Sequence, residues 1–324
     1  MVSPTDNMRA LKWGVFNHYI CSPGRDDIYG TDLSDWNSTV NSFDADKLAY
    51  QLHKMGAGYY FITLIHGTEY MIAPNATYDG LMGVSAGELC ARRDLVEDIY
   101  RALSKYGIQL GLYFNCLSPF NSSFGKKYRE RVGVFADDIR SQKNVLLNID
   151  GERFVRDWSA VLREFAVRYG DKIKAWWLDS CYDYSGYTPK LLKYYHDAIK
   201  EGNPEALIGF NQAELILHPE GGLKRTCEYE EMTCGECNTF DYLPTSGDVD
   251  GALTHLLIPL GKDRAFCGRW CSPEADYEKE FIQDYIEKVN AAGGIVTLDI
   301  FVAPDAGFSE SQMALFISKK DMPH

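Results

Sequence analysis

Apolar positions along the chain follow two alternating rhythms. Seven short runs are largely apolar, 12–18, 58–66, 108–115, 173–179, 206–211, 264–268 and 294–299, and 225–230 is a further strand candidate. Runs of this length without polar alternation predict strands covered on both faces. Between them the spacing turns helical. Leu48, Leu52 and Met55 mark a helix over 44–55 that Gly56 stops, and Leu95, Ile99 and Leu103 mark one over 92–106 that Gly107 stops. Further helices are predicted over 154–169, 189–202, 276–292 and 309–318, and a short one over 251–260. Residues 67–91 and 232–248 read as loops. From 116 to 151 the periodicity weakens around Pro119, Gly125 and a basic run at 126–131, predicting an insertion or lid; the basic run reads as a solvated helical face.

Strands that alternate with helices, and no second strand-rich region, predict an α/β chain: a single (β/α)8 barrel over 1–324. A doubly wound open sheet is the competing topology. It wants a glycine-rich phosphate loop after the first strand, and Phe16-Asn-His-Tyr stands there instead.

Composition narrows the partners. A formal net charge of −13 argues against nucleic acids and anionic membranes, which select clustered Lys and Arg. No apolar run reaches the ~18 residues of a membrane-spanning helix. The segment Met1-Val-Ser-Pro-Thr-Asp lacks the charged and apolar regions of a signal peptide, which leaves the compartment open between cytoplasm and, with a leader removed, periplasm or exterior. Nine scattered cysteines predict mostly reduced, buried thiols. Cys234-Gly-Glu-Cys237 with Cys267 and Cys271 has poor spacing for zinc.

In a barrel, chemistry gathers at the C-terminal strand ends. Those ends carry His18, His66, Asn115, Asp179, Asn211, Glu228 or Glu230, Arg269 and Asp299, with Trp176, Trp177 and Trp270 nearby. Carboxylates, amides and aromatic faces suit a neutral, polyhydroxylated ligand. Hydrolysis of a glycosidic bond needs two carboxyl groups. Asp179, on a rigid strand, suits the nucleophile, while Glu228, Glu230, Glu231 and Glu236 are candidates for the acid. A metal site from His18, His66 and Asp179 is chemically allowed, but the paired histidines that such barrels carry after the first strand are missing.

Five ordered segments resemble the α-L-fucosidase family of retaining barrel glycosidases, glycoside hydrolase family 29. They are Trp13-Gly-Val-Phe-Asn-His18, the stretch from Lys47 to His66, Arg93-Asp-Leu-Val with Gly111-Leu-Tyr-Phe, Trp176-Trp-Leu-Asp179, and the stretch from Ala292 to Gly307. The resemblance implies that Asp179 is the nucleophile and that Glu236 is the acid/base, with Glu228 as second choice. It implies that His18 and His66 contact sugar hydroxyls; Tyr113, Asn115, Trp177, Asn211, Arg269 and Trp270 are further candidates to line the sugar site. No metal and no cofactor is implied. The chain departs from the family pattern at Gly67, where the family has a second His, and at Gln212, where it has an Arg. It also stops one helix after the last strand, without the family's C-terminal β-sandwich. The expected function is a retaining exo-glycosidase acting on an α-L-fucoside-like terminal sugar. The alternatives are a non-catalytic carbohydrate-binding barrel and a metal-dependent hydrolase.

Overall fold

In a computed structural model, the described residues are 2–19, 35–118, 143–263 and 268–318. Seven parallel strands form one curled sheet: β1 Trp13–Asn17, β2 Tyr59–Ile65, β3 Gln109–Asn115, β4 Ile173–Asp179, β5 Leu207–Phe210, β8 His255–Pro259 and β9 Ile295–Asp299, in the order β5-β4-β3-β2-β1-β9-β8. A two-stranded antiparallel ribbon, β6 Asp248–Val249 with β7 Ala252–Leu253, lies apart from it.

The two edges of the curled sheet are joined by an irregular segment, residues 231–237. On one side, Glu231 and Met232 donate their backbone N–H groups to Ile208 O at 2.8 and 3.2 Å. On the other side, Leu257 N donates to Gly235 O at 3.0 Å and Cys237 N to Leu257 O at 2.9 Å. Bridges at Met232–Leu253 and Glu236–Leu257 run parallel. This segment is the eighth stave, and the architecture is a (β/α)8-type barrel.

The continuous apolar runs are explained by two cores. Alternate strand residues, Phe16, Tyr59, Phe61, Tyr113, Trp177, Leu207 and Leu257, fill the barrel interior. Their neighbours, Val15, Tyr60, Ile62, Leu112, Trp176, Leu178 and Ile208, pack outward against the helices. The large inner rings fit because Gly14 and Gly111 face them: a Cβ there would come within 2.3 Å of the Tyr59 and Phe61 rings. The surrounding helices begin where side chains cap them. Asp44, Asp94 and Asp150 accept from the third residue of Ala45–Met55, Leu95–Ser104 and Gly151–Tyr169, and Gly56 ends the first of these at φ 81°.

Three expectations need correction. Residues 225–230 are a turn, because the Arg225 guanidinium donates to the carbonyls of Glu228, Glu230 and Asp250 and curls the chain; the strand-like stave comes six residues later. Residues 251–260 are strand, not helix, since the apolar run from Leu256 to Leu260 is buried from both sides. Part of the loop over 67–91 is the helix Ala76–Met82, started by the Asn75 side chain on Tyr78 N. The strand expected at 264–268, most of the lid expected at 116–151, Cys21 and Cys267 lie outside the described residues. Among the described residues, the seven other cysteines are buried, and no helix is long and apolar enough to cross a membrane.

Candidate active site

β4 ends in Asp179, and its neighbours supply donors to that one carboxylate. Tyr113 on β3 donates its hydroxyl to Oδ2 at 2.5 Å, and Asn115, two residues on and therefore on the same strand face, donates Nδ2 at 3.2 Å. Asn211, just past β5, donates Nδ2 to Oδ1 at 2.8 Å. The Tyr182 hydroxyl stands 3.4 Å from Oδ1. The chain leaves β4 through Ser180 at φ 60°, a left-handed conformation costly for a residue with a Cβ. Its hydroxyl accepts from Asn115 Nδ2 at 3.1 Å, which helps hold the turn.

Glu236 reaches the same place from the closing segment. Asn211 Nδ2 donates to its Oε2 at 2.6 Å, so one amide nitrogen bridges both carboxylates. The two bonds together, 2.8 and 2.6 Å, set about 5.4 Å as the widest possible separation of those two oxygens. Burial first, and then the negative charge of Asp179, push the Glu236 carboxyl up to about 7; its hydrogen bond from Asn211 opposes the rise. The backbone enters Glu236 through Gly235 at φ 59°, where a Cβ would stand 1.9 Å from His255 O. Only glycine lets the segment lie this close to β8.

The two predicted histidines meet beside the carboxylates. His18 and His66 are edge-to-face at 4.8 Å, and His66 lies 5.5 Å from the Tyr113 ring. Asp299, at the end of β9, holds His18 Nδ1 at 2.9 Å and accepts from Cys271 N at 3.0 Å. Trp270 packs edge-on to His18 at 5.6 Å and donates its indole N–H to Asn238 at 2.9 Å.

The other predicted residues divide by burial. Tyr113, Asn115 and Asn211 are buried and spend their polar groups on the carboxylates. Trp177 is also buried; it stacks on Tyr113 at 5.3 Å and donates to Cys234 O, which makes it a wall beneath the site. Arg269 is paired with Asp276 at 2.9 Å and lies over the Tyr277 ring, away from the carboxylates. Glu228 is a correction: it is exposed in the turn formed by Arg225. Glu230 is buried and accepts from Phe210 N and Thr226 N, and Glu231 pairs with Lys200 at 2.7 Å. Of the four glutamates, the structure brings only Glu236 to Asp179. Sequence reasoning missed Tyr182, whose one signal was its place in the turn after β4.

His18, Cys271 and Asp299 form a group with metal-like spacing among the described residues. The His18–Asp299 hydrogen bond already accounts for that proximity. The alternative metal set of His18, His66 and Asp179 is not among such groups, and Cys234 and Cys237 join none.

Comparison with known families is decisive at this point, because the model of the alpha-L-fucosidase family matches residues 25–309. The chain belongs to the alpha-L-fucosidase family. That family is one of glycoside hydrolases, and the match takes in Asp179, Asn211 and Glu236. Solved structures share the fold at low sequence identity. An endo-fucoidan hydrolase of glycoside hydrolase family 107 is similar at a TM-score of 0.69 and 17% identity, over 98% of this chain and 53% of that one. Alpha-L-fucosidase isoenzyme 1 from Paenibacillus thiaminolyticus is similar at 0.62 and 16%, over 97% and 73%. A family 29 alpha-L-fucosidase from Bacteroides thetaiotaomicron is similar at 0.63 and 16%, over 97% and 72%. The chain thus spans about half the length of the fucoidan hydrolase it matches. No curated protein matches its sequence.

Proposed function

We propose that the chain is a retaining exo-glycosidase that releases an α-L-fucoside-like terminal residue by double displacement. Asp179 attacks the anomeric carbon as the leaving oxygen takes a proton from Glu236, forming a glycosyl-enzyme. Glu236, now ionised, draws a proton from water, which attacks the same carbon and frees Asp179. No cofactor enters either step.

The observation that carries this reading is the shared amide of Asn211, which keeps two carboxyl groups close while their surroundings differ. One donor that holds two carboxylate oxygens within about 5.4 Å of each other supports a closely spaced pair, as retaining enzymes use, with ~5–5.5 Å between carboxyl groups. A Glu236 carboxyl raised to about 7 is protonated in mildly acidic solution and ionised just above neutrality, as an acid that later serves as base requires. Tyr113, Asn115 and Asn211 position the carboxylates, while His18, His66 and Trp270 form the half-buried surface proposed to meet the sugar. Family membership supports fucose as the sugar.

The test is hydrolysis of an activated aryl α-L-fucoside with the product anomer followed by NMR. The reading expects the α-anomer first. A β-anomer, or no turnover across a panel of aryl glycosides, overturns it.

A further inference from the structure

A cleft of about 380 Å³ opens between the segments that follow β4 and β5. Its walls are the turn Asp183–Ser185 after β4 and the helix Glu214–Leu217 after β5. Both are fastened to the catalytic ring. Tyr182, beside Asp179, stacks on Tyr184 at 4.8 Å and 14°, and Tyr184 lines the cleft. Asn211 bridges the carboxylates, and the next residue, Gln212, lines the cleft while accepting from Asp183 N at 2.9 Å and donating to Cys181 O. Ala213, at φ 54°, then turns the chain so that Glu214 faces the cavity.

We propose that this cleft is the subsite for the leaving-group saccharide, and that it takes a neutral sugar. The inference rests on the glycosidase reading above, because it assigns a place to the group that departs when Glu236 donates its proton. Its position follows from the barrel: β4 brings Asp179 and the closing segment brings Glu236, so the β5 sector is the rim between them. The volume lies within the ~300–1,000 Å³ of small-molecule sites. The chemistry is that of hydroxyl recognition. Glu214 and Thr226 offer a carboxyl and a hydroxyl, Gln212 fixes the wall through its bonds to Asp183 N and Cys181 O, and Tyr184 offers an aromatic face for ring C–H groups. Burial lifts the Glu214 carboxyl to about 7, so it can donate as well as accept near neutrality. The lining gives no excess of positive charge for an anionic sugar: Asp183 and Glu214 offset Lys224, and the guanidinium of Arg225, which also borders the cleft, is committed to three backbone carbonyls.

The experiment compares α-L-fucosyl fluoride, whose leaving group fills no sugar subsite, with α-L-fucosyl-galactose disaccharides of several linkages. Leu217→Trp fills the cleft from an exposed position, and Glu214→Gln keeps the shape and removes the titrating group; melting curves verify folding. The proposal expects the disaccharide-to-fluoride ratio of kcat/KM to fall at least 10-fold in Leu217→Trp and several-fold in Glu214→Gln. A ratio within twofold of the unsubstituted protein in both variants overturns it. Failure to hydrolyse the fluoride would sink the glycosidase reading instead. Saturation-transfer NMR with methyl galactoside then decides the subsite alone: transfer to the unsubstituted protein that Leu217→Trp abolishes supports it, and absence of transfer, or transfer only to a galactose 6-sulfate, overturns it.

Discussion

Asp179 and Glu236 share one hydrogen-bond donor and almost nothing else. Asp179 ends a regular strand paired on both sides, with β3 and with β5. Its carboxylate is ringed by Tyr113, Asn115, Asn211 and Tyr182. Glu236 sits on the irregular stave, entered through a left-handed glycine, and Asn211 donates to its carboxyl. Burial and the Asp179 charge raise Glu236, with one amide to oppose them. The regular strand supplies a fixed carboxylate, and the irregular stave supplies one whose proton is available near neutrality.

Removing the fixed member should have the largest effect. Asp179→Gly is expected to lower turnover of an activated aryl fucoside by roughly 10⁴-fold or more, over about 5 kcal/mol of barrier. Added azide should then restore turnover as a glycosyl azide of inverted anomer. Activity near that of the unsubstituted protein would show that the carboxylate is not the nucleophile.

Glu236→Gln should lower kcat/KM by roughly 10²–10⁴-fold for poor leaving groups and much less for good ones. The alkaline limb near pH 7 should vanish with it, because that limb reports loss of the Glu236 proton. Equal losses across leaving groups would assign the acid elsewhere.

The irregular stave should also be the less tolerant of added bulk. Gly235→Ala requires a left-handed alanine pressed on His255 O, and it is expected to destabilise the fold by about 3 kcal/mol or more in chemical denaturation. An unchanged midpoint would mean that the segment does not close the barrel as described.

A smaller effect lies in the pH dependence of stability. Glu236 and Glu214 are raised to about 7 and Glu230 to about 8, chiefly by burial. The native state therefore holds protons that the unfolded chain has released. Their contribution is fully present below the ordinary glutamate range and is lost as pH climbs through 7 to 8. His255, lowered to about 4 by burial, acts oppositely, losing its contribution as pH falls below 6.5. Between pH 6.5 and 8 the glutamates dominate, so thermal melts should show stability declining there, and less steeply in Glu236→Gln. The smallest effect belongs to Glu228→Gln, an exposed turn position expected to shift stability by no more than about 0.5 kcal/mol and to leave turnover unchanged.

The regular half of the molecule was legible in residue order. Continuous apolar runs located β1 to β5 and β9, since strands covered on both faces need no polar alternation, and β4 matches its predicted span of 173–179. The irregular half was not. The closing stave has no apolar run; its pairing is made by backbone groups of Glu231, Met232, Gly235 and Cys237, which any side chain can supply. Residues 225–230, predicted as a strand, form a turn because Arg225 donates to three carbonyls of its own turn and its neighbour.

Within the site, local pattern and family motif placed Asp179, His18 and His66 at strand ends, because strand ends are a property of order along the chain. Which glutamate faces Asp179 was set by tertiary structure, since Glu228, Glu230, Glu231 and Glu236 lie within nine residues and differ only in where the stave turns them. The same holds for Asn115, Asn211 and Trp177. Their identities suit a sugar site, but burial commits them to holding the carboxylates and the wall beneath them. Sequence determined the barrel and one carboxylate through periodicity. Only packing decided the partner of that carboxylate, because burial and hydrogen-bond geometry are properties of residues far apart in the chain.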